Sequence, residues 1–190
     1  VLLKSSTPSG WTAAVLADFD SFLLDHAGCE RKASAAALAL VAHYPDRRSL
    51  VRDCLSLAQE ELAHFEAVWR LLDGRGLTLR PDTRSLYMDG LAKEFRQGSE
   101  AYFLDRLLAA GIAEARGCER FGLVASALRE GSERDFYRDI ARAEVRHQEL
   151  YLRLAGEYFP SAEVAERLET LLDAEAGIVA ALPLRAALYA

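Results

Sequence analysis

The sequence predicts an all-α protein: a bundle of long helices arranged as two hairpins, with one long crossover between them and an additional C-terminal helix. Three observations carry that prediction. Apolar residues recur every three to four positions through segments many turns long, the period of a helix face. No alternating run long enough for a strand occurs. Gly 12 and Pro 5 are few among 190 residues, while Ala and Leu, both strong helix formers, abound. With 51% hydrophobic residues the chain can bury one sizeable core, so a single domain over residues 1–190 is expected.

The first helix is expected over about residues 12–43, opened by Ser9-Gly10 and Thr12 and carried by Leu16, Phe19, Leu23, Ala27, Ala37, Leu40 and Val41. Pro45 bars its continuation. A second helix, about 49–72, runs through Leu50, Cys54, Leu57, Leu62, Phe65, Val68 and Leu72 and stops at Asp73-Gly74. Residues 73–97 hold Gly74, Gly76, Pro81 and Gly90 and read as the crossover, with one short helix around Leu86 to Phe95. The third helix, about 99–130, passes through Phe103, Leu107, Ile112, Phe121 and Leu128 to a stop at Gly131. Ser132 with Asp135 three positions on resembles a capping box and opens a fourth helix over 132–158. Phe159-Pro160-Ser161 separates it from a fifth, about 161–182.

Lys+Arg 23 against Asp+Glu 29 leaves a net charge of −6, and 20 of the 23 cations are Arg. This excludes a protein that coats nucleic acid by bulk charge, yet leaves room for a local Arg-rich face. Residues 70–84 carry Arg70, Arg75, Arg80 and Arg84 against Asp73 and Asp82, which reads either as a phosphate-contacting face or as a solvated loop. Three cysteines, Cys29, Cys54 and Cys118, with no C-x-x-C pair, indicate neither a disulfide framework nor a zinc ribbon, and a cytoplasmic location fits them. No run approaches the length of a membrane span, although residues 178–190 are apolar enough to keep a membrane contact open. Because the chain opens on Val1 and its single methionine is Met88, a few starting residues are expected to be missing.

Two short patterns each occur twice. Gly-Cys-Glu-Arg stands at Gly28 to Arg31 and at Gly117 to Arg120; Glu-x-x-His stands at Glu61 to His64 and at Glu144 to His147. Each predicted hairpin thus has a Glu on its first leg and Glu-x-x-His on its second. Glu61 and Glu144 both lie 12 residues after their helix starts at Ser49 and Ser132, Glu30 lies 13 before His43 and Glu119 lies 11 before Glu130. All four levels therefore agree within about one helical turn. Positions i and i+3 share a face, so Glu and His of each motif can approach one centre. Carboxylates on apolar stripes are costly to bury as free ions, and a pair of metal ions offsets that cost. Glu30, Glu61, His64, Glu119, Glu144 and His147 match the donor set of the di-iron and di-manganese carboxylate bundles. Hard oxygen donors with one imidazole per ion suit iron or manganese better than zinc. Glu114, five residues before Glu119, is an alternative on the third helix. His26, one turn before Glu30, reads equally as a partner of the ligands or a packed histidine; His43, Cys29, Cys118 and Tyr151 read as structural.

On Glu30, Glu61-Leu62-Ala63-His64, Glu119 and Glu144-Val145-Arg146-His147, the chain resembles the ferritin-like carboxylate-bridged di-iron superfamily. On the opening Leu-Lys-Ser-Ser-Thr-Pro, the repeated Gly-Cys-Glu-Arg and the run Ala58 to Phe65, it resembles the MiaE-type tRNA hydroxylases over nearly its whole length. That resemblance implies a ferritin-like four-helix bundle holding two Fe ions, one on Glu30, Glu61 and His64 and one on Glu119, Glu144 and His147, with Glu61 and Glu144 bridging. It further implies a monooxygenase that uses O2 and electrons from an external reductase. Its substrate would be the isopentenyl side chain of a 2-methylthio-N6-isopentenyladenosine next to the anticodon in tRNA. The competing readings are a demethoxyubiquinone-type hydroxylase, which needs a membrane-facing surface, and an iron-storage or peroxide-scavenging protein. Ala33, Ala37, Gly111, Ala115 and Gly122 either leave room for a prenyl group or permit close helix packing.

Overall fold

A computed structural model of the chain describes residues 1–189, and among these there are seven helices and no strand. They are α1 (Trp11–Ala17), α2 (Phe19–His43), α3 (Arg48–Gly74), α4 (Leu86–Lys93), α5 (Ser99–Ala127), α6 (Ser132–Tyr158) and α7 (Ser161–Ala181). They form two compact units. One holds α2 and α3; the other holds α4 to α7 with residues 1–13.

Three boundaries differ from the sequence expectation. The first helix is two, because Asp18 leaves helical geometry and caps α2, its carboxylate accepting from the Ser21 N–H. The second helix extends two residues beyond Leu72 and ends at Gly74, in the Asp73-Gly74 stop, closing in a Schellman turn in which Gly76 takes φ +69° and Leu77 N–H donates to the Leu72 carbonyl. The third helix ends at Ala127, three residues before Glu130, and Leu128 is already extended. The short crossover helix is α4, started by Ser85, whose hydroxyl accepts from Met88 N–H.

In the α2/α3 unit Phe22, Leu23, Ala27, Ala37 and Leu40 pack with Leu50, Cys54, Leu57, Ala58, Val68 and Leu72, all nearly inaccessible. The Ser34 hydroxyl crosses between these helices to donate to the Ala58 carbonyl at 2.8 Å. At the far end of α3, Arg75 bonds Asp20 at 2.8 Å and lies over the Phe19 ring.

In the other unit α5 is buried on almost every side from Phe103 to Gly117, as befits a central helix. Gly111 lets α6 come close: a Cβ there would stand 3.4 Å from Tyr151 Cβ and 3.6 Å from the Gln148 carbonyl. Of the small residues singled out in the sequence, this one serves helix packing. Tyr87, Leu91, Ala109, Ala113 and Val179 form a second cluster, joined by Phe95, Ile178, Leu182 and Tyr189. Ile178, Val179, Leu182 and Tyr189 of the apolar C-terminal stretch are thus spent on this core, residue 190 lies outside the described residues, and among the described residues no helix is long and apolar enough to cross a membrane.

Two buried ionic networks hold this unit together. Arg116 and Glu175, both fully inaccessible, form a two-pronged pair at 2.8 and 3.0 Å. Tyr87 donates to the same carboxylate at 3.1 Å, and Arg116 reaches the Ser5 carbonyl at 2.9 Å. Arg120, stacked over Trp11, donates to the Thr7 hydroxyl. The N-terminal segment, α4, α5 and α7 meet at this network. The second network centres on Asp105, whose side chain is fully buried and receives both Arg96 and Arg167 at 2.7–3.2 Å.

Two outcomes are expected. Glu175→Leu takes from the buried Arg116 its two-pronged partner and leaves it only the ion pair with Glu119, lowering the unfolding free energy in urea by about 3 kcal/mol, and Arg116→Met added to it recovers part of the loss. Burial works to raise the Asp105 carboxyl, but Arg167 and Arg96 outweigh it and hold it below its ordinary value. Its contribution is therefore complete above about pH 4 and is lost as pH falls through the depressed value. Unfolding measured from about pH 6 down to about pH 2 should show a shallower acid decline in Asp105→Asn than in the native chain.

Candidate metal centre

Each unit carries one buried set of carboxylates and imidazole, and helix periodicity builds both. On α2 His26 and Glu30 stand one turn apart; on α3 Glu61 and His64 stand at i and i+3, hence on one face. Glu30 is 3% and Glu61 1% exposed. His64 Nδ1 lies 3.6 Å from Glu30 Oε2 and 3.5 Å from Glu61 Oε2, and His26 Nε2 lies 2.5 Å from Glu30 Oε1. On α5 and α6 the corresponding set is Glu114, Glu144 and His147, with His147 Nδ1 3.6 Å from Glu144 Oε2. Within each set one donor atom per residue lies within 4.8 Å of the others.

Glu119 does not join its expected partners; Glu114 does. Glu119 is held elsewhere, accepting from Thr7 N–H at 2.9 Å and the Thr7 hydroxyl at 2.6 Å and pairing with Arg116. Five residues of α-helix rotate by about 140°, so one helix cannot present both on the same face. The Gly-Cys-Glu-Arg repeat aligns Glu30 with Glu119, whereas the structure sets Glu114 beside Glu144 and His147. Measured from the observed helix ends, Glu30 lies 13 residues before His43 and Glu114 lies 13 before Ala127. Counting depth from Glu130 favours Glu119 only because that residue lies three positions beyond the end of the helix.

The electrostatics show what the α2/α3 set requires. Burial acts to raise the Glu30 carboxyl, yet the charge of His26 and bonds with His26, His64 and Glu61 hold it well below the carboxylate range. Burial likewise acts to lower His64, and Glu30 and Glu61 push it up instead, to about 9. These carboxylates therefore depend on positive charge, here a proton on imidazole, and a cation supplies the same compensation. The donor set fits iron or manganese: per set, two hard carboxylates and one imidazole. The 3.5–3.6 Å separations exceed the usual N–H···O range, and two donors sharing one ion stand about 3–3.5 Å apart.

The other residues singled out in the sequence take structural places. His43 is exposed at the end of α2, and Tyr151 is buried against Gly111. Cys29 and Cys118 are half-buried thiols, and burial raises both. His26 contacts Glu30. The Arg116–Glu175 pair carries no sequence motif, although Glu175 lies on a stripe with Leu171, Leu172 and Val179 that marks it as buried. In the arginine segment Arg70 pairs with Glu66, Arg75 with Asp20 and Arg84 with Asp89, while Asp82 pairs with Arg31; Arg80 is exposed.

Comparison with known proteins identifies the family and the fold. The family described as tRNA-(MS[2]IO[6]A)-hydroxylase (MiaE) matches residues 1–187. A tRNA 2-(methylsulfanyl)-N(6)-isopentenyladenosine(37) hydroxylase of Pseudomonas putida is 38% identical over 177 residues, 93% of this chain and 86% of that protein. Its counterpart from Salmonella typhimurium is 31% identical over 135 residues, 71% of this chain and 49% of that protein. A solved structure, protein 43 with aldehyde deformylating oxygenase activity from Synechococcus, superposes with a TM-score of 0.93 at 34% identity. The match covers 99% of this chain and 95% of that one. The fold is that of a ferritin-like oxygenase, as the sequence resemblance implied.

Metal analysis of purified protein should separate the two third-helix candidates. Glu114→Ala is expected to lose bound iron, whereas Glu119→Ala is expected to keep native iron content and lose only thermal stability. Equal iron in native protein and Glu114→Ala would remove Glu114 from the ligand set.

Proposed function

The chain belongs to the MiaE family and is a tRNA 2-methylthio-N6-isopentenyladenosine hydroxylase, and on that premise we propose which of its residues carry the reaction. Glu30, Glu61 and His64 hold one iron ion; Glu114, Glu144 and His147 hold the other. The two units work as one domain. The observation that supports this reading is the pair of buried sets, each of two carboxylates and one imidazole, in a chain that matches the family from residue 1 to residue 187.

When bound, the iron pair activates O2 for insertion of one oxygen atom into a C–H bond of the isopentenyl group. The balance is C–H plus O2, two electrons and two protons giving C–OH and water. The electrons come from an external reductase. The chain's own task is to hold six ligands at fixed depth on stiff helices and to keep bulk water from the reacting carbon. Leucine, phenylalanine and alanine side chains around the ligands meet the second need.

tRNA approaches through the exposed arginines of residues 70–84, Arg70, Arg75, Arg80 and Arg84. Three of them are engaged by carboxylates at the surface. Exposed pairs of this kind contribute about 0–1 kcal/mol, so a phosphate can exchange for the carboxylate at little cost. A cytoplasmic location suits a tRNA substrate.

Incubation of iron-loaded protein with reductant, O2 and tRNA bearing the prenylated adenosine should add one oxygen atom to that nucleoside, read by mass spectrometry. Unchanged nucleoside with accumulation of a ferric mineral would support storage instead. Arg75→Ala and Arg80→Ala should raise KM for tRNA with kcat unchanged. Each should also lower the slope of log affinity against log salt by about one for every phosphate that the arginine neutralises. Unaltered salt dependence would place the tRNA on another face.

A further inference from the structure

His26 is fully buried on α2, its ring stacked on Phe22 at 6.0 Å between centroids, and its Nε2 lies 2.5 Å from Glu30 Oε1. The second oxygen of that carboxylate, Oε2, is the one that faces His64. One oxygen of Glu30 is thus occupied by an imidazole whose ring is itself fixed by packing. In the other set the equivalent position, four residues before Glu114, is Ala110, which carries no polar group. The two sets share ligand types and helix register, and they differ at this neighbouring position.

We infer that His26 is a positioning residue for the ion held on α2 and α3: its Nε2 engages Glu30 Oε1 and so orients the carboxylate with Oε2 toward His64. The inference rests on the ligand assignment proposed above. A hydrogen-bond partner on a ligating carboxylate restricts its rotation and lowers the charge it offers the ion, and loss of such partners costs about 10–100-fold in metal affinity. The ion on α2 and α3 is therefore the one whose affinity and electronic environment depend on residue 26.

The test uses metal-free protein titrated anaerobically with Co(II), following ligand-field absorption and counting ions by elemental analysis after dialysis. His26→Gln places an amide N–H where Nε2 stands, and His26→Leu fills the same volume with no donor. Helical circular dichroism checks that both variants are folded. Native protein and His26→Gln are expected to bind two ions. His26→Leu is expected to bind one ion as native protein does and the second about 10–100-fold more weakly. Native affinity for both ions in His26→Leu overturns the inference, as does a loss in His26→Gln equal to that in His26→Leu. Glu30→Ala separates this from the ligand assignment: it should lose one ion outright, and two ions at native affinity in Glu30→Ala would overturn the assignment itself.

Discussion

The cost of burying negative charge governs this protein. Glu30, Glu61, Glu114 and Glu144 are each no more than 9% exposed, on helices whose neighbouring positions are alanine, leucine and phenylalanine. An isolated carboxylate in such surroundings would take up a proton rather than remain ionised. Its retention requires positive charge at short range, and the imidazoles of His26, His64 and His147 stand where such charge is needed. A protonated imidazole meets that requirement, and a bound cation would meet it equally.

The fold meets the same problem in a second way. Glu175 and Asp105 are also buried, yet each is met by guanidinium groups that satisfy it with two-pronged hydrogen bonds. These pairs leave the carboxylate no room for an ion and serve cohesion between segments distant in the chain. The contrast lies in the partner. An arginine closes a carboxylate; an imidazole at 3.5–3.6 Å leaves it able to exchange proton for metal. Glu119 belongs with the first kind, since Arg116 and Thr7 take both of its oxygens.

Stiff helices translate sequence spacing into depth, and this makes the site readable and also easy to misread. The Glu-x-x-His pair places its two residues on one face in both units, with no knowledge of tertiary structure required. The first-leg glutamates are harder, because their depth depends on where each helix ends. A shift of three residues at Ala127 is enough to exchange Glu114 for Glu119. The repeated Gly-Cys-Glu-Arg reinforces that exchange, although its second copy serves the Arg116 network.

By itself the sequence determined the helical class, the hairpin boundaries to within a few residues, the family, and five of the six residues that the structure gathers into the two buried sets. These are properties of local periodicity and of residue chemistry, which act over one or two turns. Tertiary structure alone decided which glutamate of α5 faces Glu144 and His147, that His26 touches Glu30, and that Arg116 is matched to Glu175. The physical reason is the same in each case. A rotation about a helix axis is set by what the whole helix buries, and partners 59 residues apart meet only when the chain has packed.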